Sequence, residues 1–303
     1  MRNIVLTILI FTCLCLYSQN EGDKYRREGD LEKAIQAYTE VLDKDPANSN
    51  NTYNLACAYA LLHQVDKAYH YLDKALKNDN TLWVLADNDL LSLRDDMRWK
   101  SIEVNQLNKY QKHKGKLKKP ELAKQLLRLI VEDQMFDYHM DLAKQFFVKN
   151  GRAPHWYYPL GYVKKQKAED NFRKLEELIE KFGWPMYSDV GKLAADGPLL
   201  IINHHEKEEI RLKYLPQIKE TCEKQEGSCV EYAKIKDRVL VNTGKKQLYG
   251  MQFAYNAENK LEPLPIFEPE FVDQRRKKIG LPSLKEYLKR KINYDFKVAQ
   301  KKK

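Results

Sequence analysis

Hydrophobic and polar positions follow a helical period near the start of the chain. Leu31, Ala34, Ile35, Tyr38, Val41 and Leu42 fall at i, i+3, i+4, i+7, i+10 and i+11, one face of a helix. The same pattern predicts helices over 53–62 and 66–77. Setting residues 22–46 over 56–80, an offset of 34, puts Gly22 on Ala56, Tyr25 on Tyr59, Ala34 on Ala68, Tyr38 on Leu72 and Val41 on Ala75. Small residues at 22, 34, 56 and 68 let paired helices come close, where larger ones would push the backbones apart. Gly29 suits the turn between helices, and Pro46 closes the first unit. A degenerate third unit follows at 81–102. There Trp83, Leu90, Leu91, Leu93 and Trp99 supply apolar mass, while Asp87, Asp89, Asp95 and Asp96 supply turns and caps.

Residues 105–119 (NQLNKYQKHKGKLKK) are polar and basic and read as a linker. Pro120 suits the first turn of a helix, which the pattern carries to about 149. Leu122, Leu126, Leu129, Ile130, Phe136 and Met140 form its apolar stripe, and Asp133 lies on the same stripe. A carboxylate there is costly unless paired or functional. Further helices are expected at 166–182, 198–210, 212–224 and 283–291. Between the last two, 238–242 and 247–255 read as a β-hairpin around a turn at 243–246, with 261–266 as a short third strand. Gly250, inside the second strand, marks a bulge or a close backbone approach. The expected class is mainly α: helical-hairpin repeats followed by an α+β domain with a small antiparallel sheet. The expected boundaries are 1–19 leader, 20–105 repeat domain, 106–119 basic linker, 120–292 α+β domain and 293–303 basic tail.

The offset of 34 resembles the tetratricopeptide repeat, which has that period. Leu93-Arg94 followed by Trp99 resembles the segment that often closes such arrays. The resemblance implies a concave groove that binds a protein or peptide. By repeat position, Asp23, Arg26, Arg27, Tyr53, Asn54 and Ala60 face it. With two clear repeats and a cap, a spacer or dimerisation element is the alternative role. A second resemblance spans roughly 120–290. EDQ at 132–134, GWP at 183–185 with LLIINHHE at 199–206, DRVLVNTGKKQLYGMQ at 237–252, and PLPIFEPEFVDQRRKKIGLPSLKEYL at 263–288 resemble an uncharacterised bacterial domain of unknown function. That family has Thr where this chain has Met251, and commonly Asp where it has Glu268. The resemblance implies a domain, not an activity.

Composition changes the picture in three ways. First, MRNIVLTILIFTCLCLYSQN has one positive residue, Arg2, then an apolar run from Ile4 to Tyr17 and a small polar end. That is the layout of a secretory signal peptide, with cleavage expected near Ser18 or Gln19 and a periplasmic or secreted product. Thr12 and Leu14 poorly suit a lipobox before Cys13 or Cys15, so a lipoprotein is the weaker alternative. No later apolar run is long enough to span a bilayer. Second, Cys57 sits where a helix wants a small core residue. Cys222 and Cys229 flank KQEGS and either pair across that turn or stay free thiols. Third, the net charge is +10, with basic clusters at Lys109–Lys119 and in the tail from Lys285. These suit a solvated linker and tail, with an anionic envelope surface as a possible partner. Behind an export leader, nucleic acid is the less sensible one.

Candidate chemistry gathers in the second domain. His204 is the His of the pair that matches the family pattern, and a general acid/base role needs a carboxylate beside it, Asp133 or Asp237. Gln134, Gln247, Tyr249 and Gln252 would then give directional hydrogen bonds to a polar substrate, and Arg275 or Arg276 would hold an anion. The enzyme so implied is a hydrolase or transferase acting on an envelope polymer or protein. The alternative is a satisfied core histidine and a capping Asp237. Metal binding is not expected, because adjacent His204 and His205 point about 100° apart on a helix. No phosphate loop, nucleophile elbow or CxxC motif occurs, and no cofactor is expected. The overall expectation is an exported scaffold, with catalysis as its rival.

Overall fold

The computed structural model describes residues 21–258 and 260–301, so the leader expected at 1–19 lies outside the described residues. The chain forms two compact units, divided between Lys116 and Leu117.

The first unit is built from antiparallel helix pairs. Helix α1 (residues 21–28) ends at Gly29, whose φ of +83° suits a glycine. Helices α2 (Leu31–Lys44), α3 (Ser49–Leu61) and α4 (Val65–Leu76) follow. Asp30 and Asn48 cap α2 and α3 by accepting from the backbone N–H groups of Lys33 and Asn51. Ala34, Tyr38, Leu55 and Ala58 are fully buried in one cluster. Ala56 and Ala68 are also fully buried. A Cβ added at Gly22 would lie 2.5 Å from the Tyr38 ring, so the close pairing read from small residues is real at this position. The degenerate third unit holds two short 3₁₀ turns, Trp83–Ala86 and Asn88–Leu93, the second capped by Asp87. Helix α5 (Met97–Lys114) closes the unit. Most of the basic stretch read as a linker is therefore helix. Its buried face (Trp99, Ile102, Leu107) continues past the point where basic composition suggested loop, and Gly115, at φ +101°, ends it.

In the second unit, α6 (Pro120–Gln134) and α7 (Asp137–Asn150) replace the single helix expected from 120 to 149. The apolar stripe runs across the break, so its period did not reveal it. The elements α8 (Tyr157–Phe182), α9 (Tyr187–Val190), α10 (Lys192–His204), α11 (Glu208–Glu223) and α12 (Cys229–Asn242) follow. Leu122, Leu126, Leu127 and Ile130 of α6 are buried, as are Leu199 and Ile202 of α10. A disulfide joins Cys222 to Cys229 and ties the end of α11 to the start of α12.

The hairpin expected at 238–255 is corrected. Residues 238–242 complete α12, and the sheet pairs β1 (Phe253–Tyr255) with β2 (Leu261–Pro263), antiparallel, Ala254 opposite Glu262. Ser228 caps α12 by accepting from the N–H of Glu231, an S-x-x-E signal that outweighs the β-branched Val239 and Val241. Helices α13 (Val272–Lys278) and α14 (Leu284–Ile292) complete the unit. They share a second core with Ala233, Met251, Val272, Leu284 and Leu288.

Candidate functional site

The first unit carries a cavity of about 650 Å³ whose lining includes Asp23, Asn50, Tyr53, Asn54, Asp79 and Trp83. Three residues expected in a groove, Asp23, Tyr53 and Asn54, line it together. Its floor is hydrogen-bonded. Asp23 accepts from the hydroxyl of Tyr38 at 2.7 Å and from the amide of Asn54 at 3.0 Å. The Tyr53 hydroxyl donates to Asp87 at 2.7 Å. Arg26 is not part of the lining: its guanidinium pairs with Asp89 at 2.9 Å and reaches the lining carboxylate of Asp23 at 4.0 Å. Arg27 and Ala60 are likewise absent from it. The lining holds two carboxylates, several amides and the ring of Trp83, which is 66% exposed, but no Lys or Arg. In a chain of net charge +10, this is a locally acidic, hydrogen-bonding surface.

Beneath it, Cys57, Asp87 and Asp89 offer atoms within 4.8 Å of one another that a metal ion would accept as ligands. Burial, and then the charges of Asp87 and Asp89, push the Cys57 thiol well up from its usual pKa. With Arg26 on Asp89 and Tyr53 on Asp87, the cluster works as a polar brace under the groove.

In the second unit the α6–α10 contact brings His204 to Asp133. Gly197 of α10 permits the approach: a Cβ there would lie 3.0 Å from Cγ1 of Ile130. About one turn beyond Ile130 and two turns beyond Gly197, Asp133 Oδ2 and His204 Nδ1 stand 2.7 Å apart. The Asp133 side chain is 4% exposed and that of His204 is 30% exposed. With Asp133 ionised, Nδ1–H donates to it and Nε2 carries the lone pair, the tautomer an acid/base histidine needs. Buried Asn171 supports the carboxylate's backbone. Oriented to satisfy both ends, its amide donates to Glu132 at 3.1 Å and accepts from the N–H of Asp133 at 3.2 Å. Burial raises the Glu132 pKa, but hydrogen bonds from Lys167 and Lys174 outweigh it and leave the group lowered.

The end of α10 is fixed by cations. Arg211 donates to the carbonyls of Asn203, at 3.1 Å, and of His205, and Arg238 donates to that of Asn203 at 2.6 Å. These guanidiniums satisfy carbonyls left open at a helix end, so the helix expected over 198–210 stops at His204.

The other sequence candidates lie elsewhere or are already engaged. Gln134 ends α6, beside Asp133, and is half-buried. Asp237, fully buried, is not paired with His204. Its carboxylate accepts from the N–H groups of Leu248, Tyr249 and Met251 at 2.7–3.1 Å. Burial lifts its pKa to about 6, against the lowering effect of those hydrogen bonds. The Gln247 amide donates to the carbonyls of Gln252 and Leu264 and accepts from the N–H of Gln252. The Gln252 amide donates to the Lys234 carbonyl. Arg275 donates to the carbonyls of Leu248, Phe267 and Glu268, and fully buried Arg276 to those of Pro282 and Tyr249. Tyr249 packs edge-on against Tyr232 at 6.1 Å. The most distinctive sequence block thus forms the end of α12 and the loop after it, with Asp237, Gln247 and Gln252 directed at backbone. Of the missed participants, Asn171 and Arg211 carried no motif, and Arg238 lay inside the 237–252 block without standing out as a site residue: ordinary polar residues on helices gain meaning only when the helices pack.

Paired helices with small residues at their contacts and an open polar groove define the first unit as a repeat scaffold, a class that works by binding other proteins. The tetratricopeptide-repeat family matches residues 25–83. The chain as a whole belongs to a family of unknown function (DUF6624), which matches residues 142–299. That match includes His204 and the 237–252 block, while Asp133 precedes it. No curated protein and no solved structure matches the chain.

Proposed function

We propose that this protein is an exported scaffold whose repeat unit captures an extended protein or peptide segment carrying a basic side chain. The observation that carries the reading is the groove lining: two carboxylates, amides and an exposed Trp, with no Lys or Arg in the lining itself and Arg26 shared between Asp89 and Asp23 outside it. Amides recognise the backbone of an extended segment, the carboxylates favour Lys or Arg, and the Trp83 face accepts a cation or an apolar side chain. The signal-like first 19 residues support export, and the Cys222–Cys229 disulfide suits an oxidising compartment. The test is selection of a random peptide library on the full chain, with Asn54→Lys as counter-selection. Selected peptides should be rich in Lys or Arg and should lose at least about tenfold in affinity on the variant, some 1.4 kcal/mol. Peptides that bind both proteins equally would count against the groove.

The 2.7 Å contact between His204 and Asp133 favours a second reading, a hydrolase or transferase using His204 as acid/base. Its test is turnover of chromogenic esters, amides and glycosides by the wild type and by His204→Gln. Turnover that survives in the variant removes this reading. It ranks second because the loop residues expected to bind substrate are engaged with backbone.

A further inference from the structure

The α7–α8 hairpin leaves in solvent the side chains that a core would bury. Of the 14 residues of α7, Ala143 is the buried one. The buried residues of the 26-residue α8 are Asn171, Phe172, Leu175 and Leu178, all in its second half. The hairpin end therefore adds little to the core. It nevertheless carries Phe146, Phe147, Trp156, Tyr158 and Tyr162 at 40%, 54%, 39%, 64% and 67% exposure. Single exposed rings are ordinary, but a group of them around one turn marks a contact surface.

Charge identifies the partner. Between Asp141 and Glu169 the sequence has Lys144, Lys149, Arg152, Lys164, Lys165 and Lys167 and no carboxylate. Lys164, Lys165 and Lys167 pair with Asp137, Glu206 and Glu132. Lys149 and Arg152, beside the turn, are exposed.

We propose that the α7–α8 tip docks on an anionic lipid bilayer, its aromatic rings entering the headgroup layer while Lys149 and Arg152 meet the phosphates. Tyr and Trp have an apolar body and a polar edge, which suits them to the bilayer–water boundary. The alkyl stems of Lys and Arg lie along apolar surface while their charges reach headgroups. No helix among the described residues is long and apolar enough to cross a membrane, so this contact lies on the surface. A second copy of the chain is a poorer occupant, because it would set one cation-rich tip against another.

The test is co-sedimentation of the full chain with phosphatidylcholine vesicles and with vesicles that also contain phosphatidylglycerol. Binding should require the anionic lipid and weaken with salt. Lys149→Glu with Arg152→Glu should lower the partition coefficient at least about fivefold for each cation lost. Phe147→Ser with Tyr158→Ser should lower it too, with circular dichroism and melting temperature unchanged, since both residues are exposed. Replacing the three lysines at 301–303 by Ala should leave most of the binding in place. The proposal is overturned by absence of binding to anionic vesicles, or by binding that follows the tail lysines and ignores the hairpin variants. A dimer in light scattering that Phe147→Ser dissolves would also overturn it, assigning the surface to a second copy.

Discussion

Replacing Asp237 by Ala tests whether the most distinctive sequence block is a structural clamp. The carboxylate accepts three backbone N–H bonds, from Leu248, Tyr249 and Met251. Each donor left without an acceptor costs about 1–3 kcal/mol. Leu248 and Tyr249 are half-buried and regain some water, whereas Met251 is 5% exposed and does not. The loss should be about 4 kcal/mol in all, a large share of the roughly 5–15 kcal/mol that holds a typical domain together. Arg276, fully buried, also loses a nearby counter-charge. Asp237→Asn keeps one acceptor oxygen and should lose about half as much. The assay is urea unfolding followed by far-UV circular dichroism at pH 7. An Ala variant within about 1 kcal/mol of wild type would refute the clamp.

The same pair of proteins carries a pH signature. Burial raises the Asp237 pKa to about 6, above its usual 3.8. Between these values the folded chain binds this proton more tightly than the unfolded chain. The stability contributed by protonated Asp237 is therefore present below pH 3.8 and lost as pH rises through 6. The lost stability amounts to about 3 kcal/mol. Asp237→Asn cannot titrate, so the wild type should lose stability relative to it as pH climbs from 4 to 7. Parallel stability–pH curves would contradict this.

Three other outcomes are expected. Gly250→Ala should destabilise by about 2–4 kcal/mol in the same urea assay, since its φ is +74° and the new Cβ would lie 2.5 Å from Leu284 Cδ1; a smaller loss than about 0.5 kcal/mol would show that the contact relaxes freely. Reducing Cys222–Cys229 should cost about 2.5 kcal/mol, the closure entropy of so short a loop, read as a lower urea midpoint with dithiothreitol and absent in a Cys222→Ala, Cys229→Ala variant. If the export proposed above holds, thiol titration of the natively produced protein, unfolded without reductant, should find Cys57 alone; finding Cys13 and Cys15 as well would contradict that proposal.

The repeat unit was legible because its signals are local. Gly22, Ala34, Ala56 and Ala68 sit at one recurring spacing and bury at the contacts that spacing implies. The second unit was legible only in part. Asp133 stood out as a carboxylate on an apolar stripe, and its partner His204 lies 71 positions away, joined by helix packing at Gly197 that no local pattern encodes. The 237–252 block misled for a physical reason. Val239 and Val241 suggest a strand, but the Ser228 cap and the disulfide that spans it fix a helix through Asn242. Gln247 and Gln252, which looked like substrate ligands, bond to backbone, because a loop without regular structure must satisfy its carbonyls some other way.

The central claim is that the groove of the repeat unit is where a partner segment binds, and the indole N–H signals of the four tryptophans test it most directly. Trp83 lines the groove, while Trp99 is buried and Trp156 and Trp184 belong to the second unit. Titrating the ¹⁵N-labelled full chain with a selected Lys-rich peptide should shift the Trp83 signal in a saturable way and leave Trp156 and Trp184 in place. A peptide that binds with Trp83 unmoved, or that moves Trp83 equally in Asn54→Lys, would contradict the account.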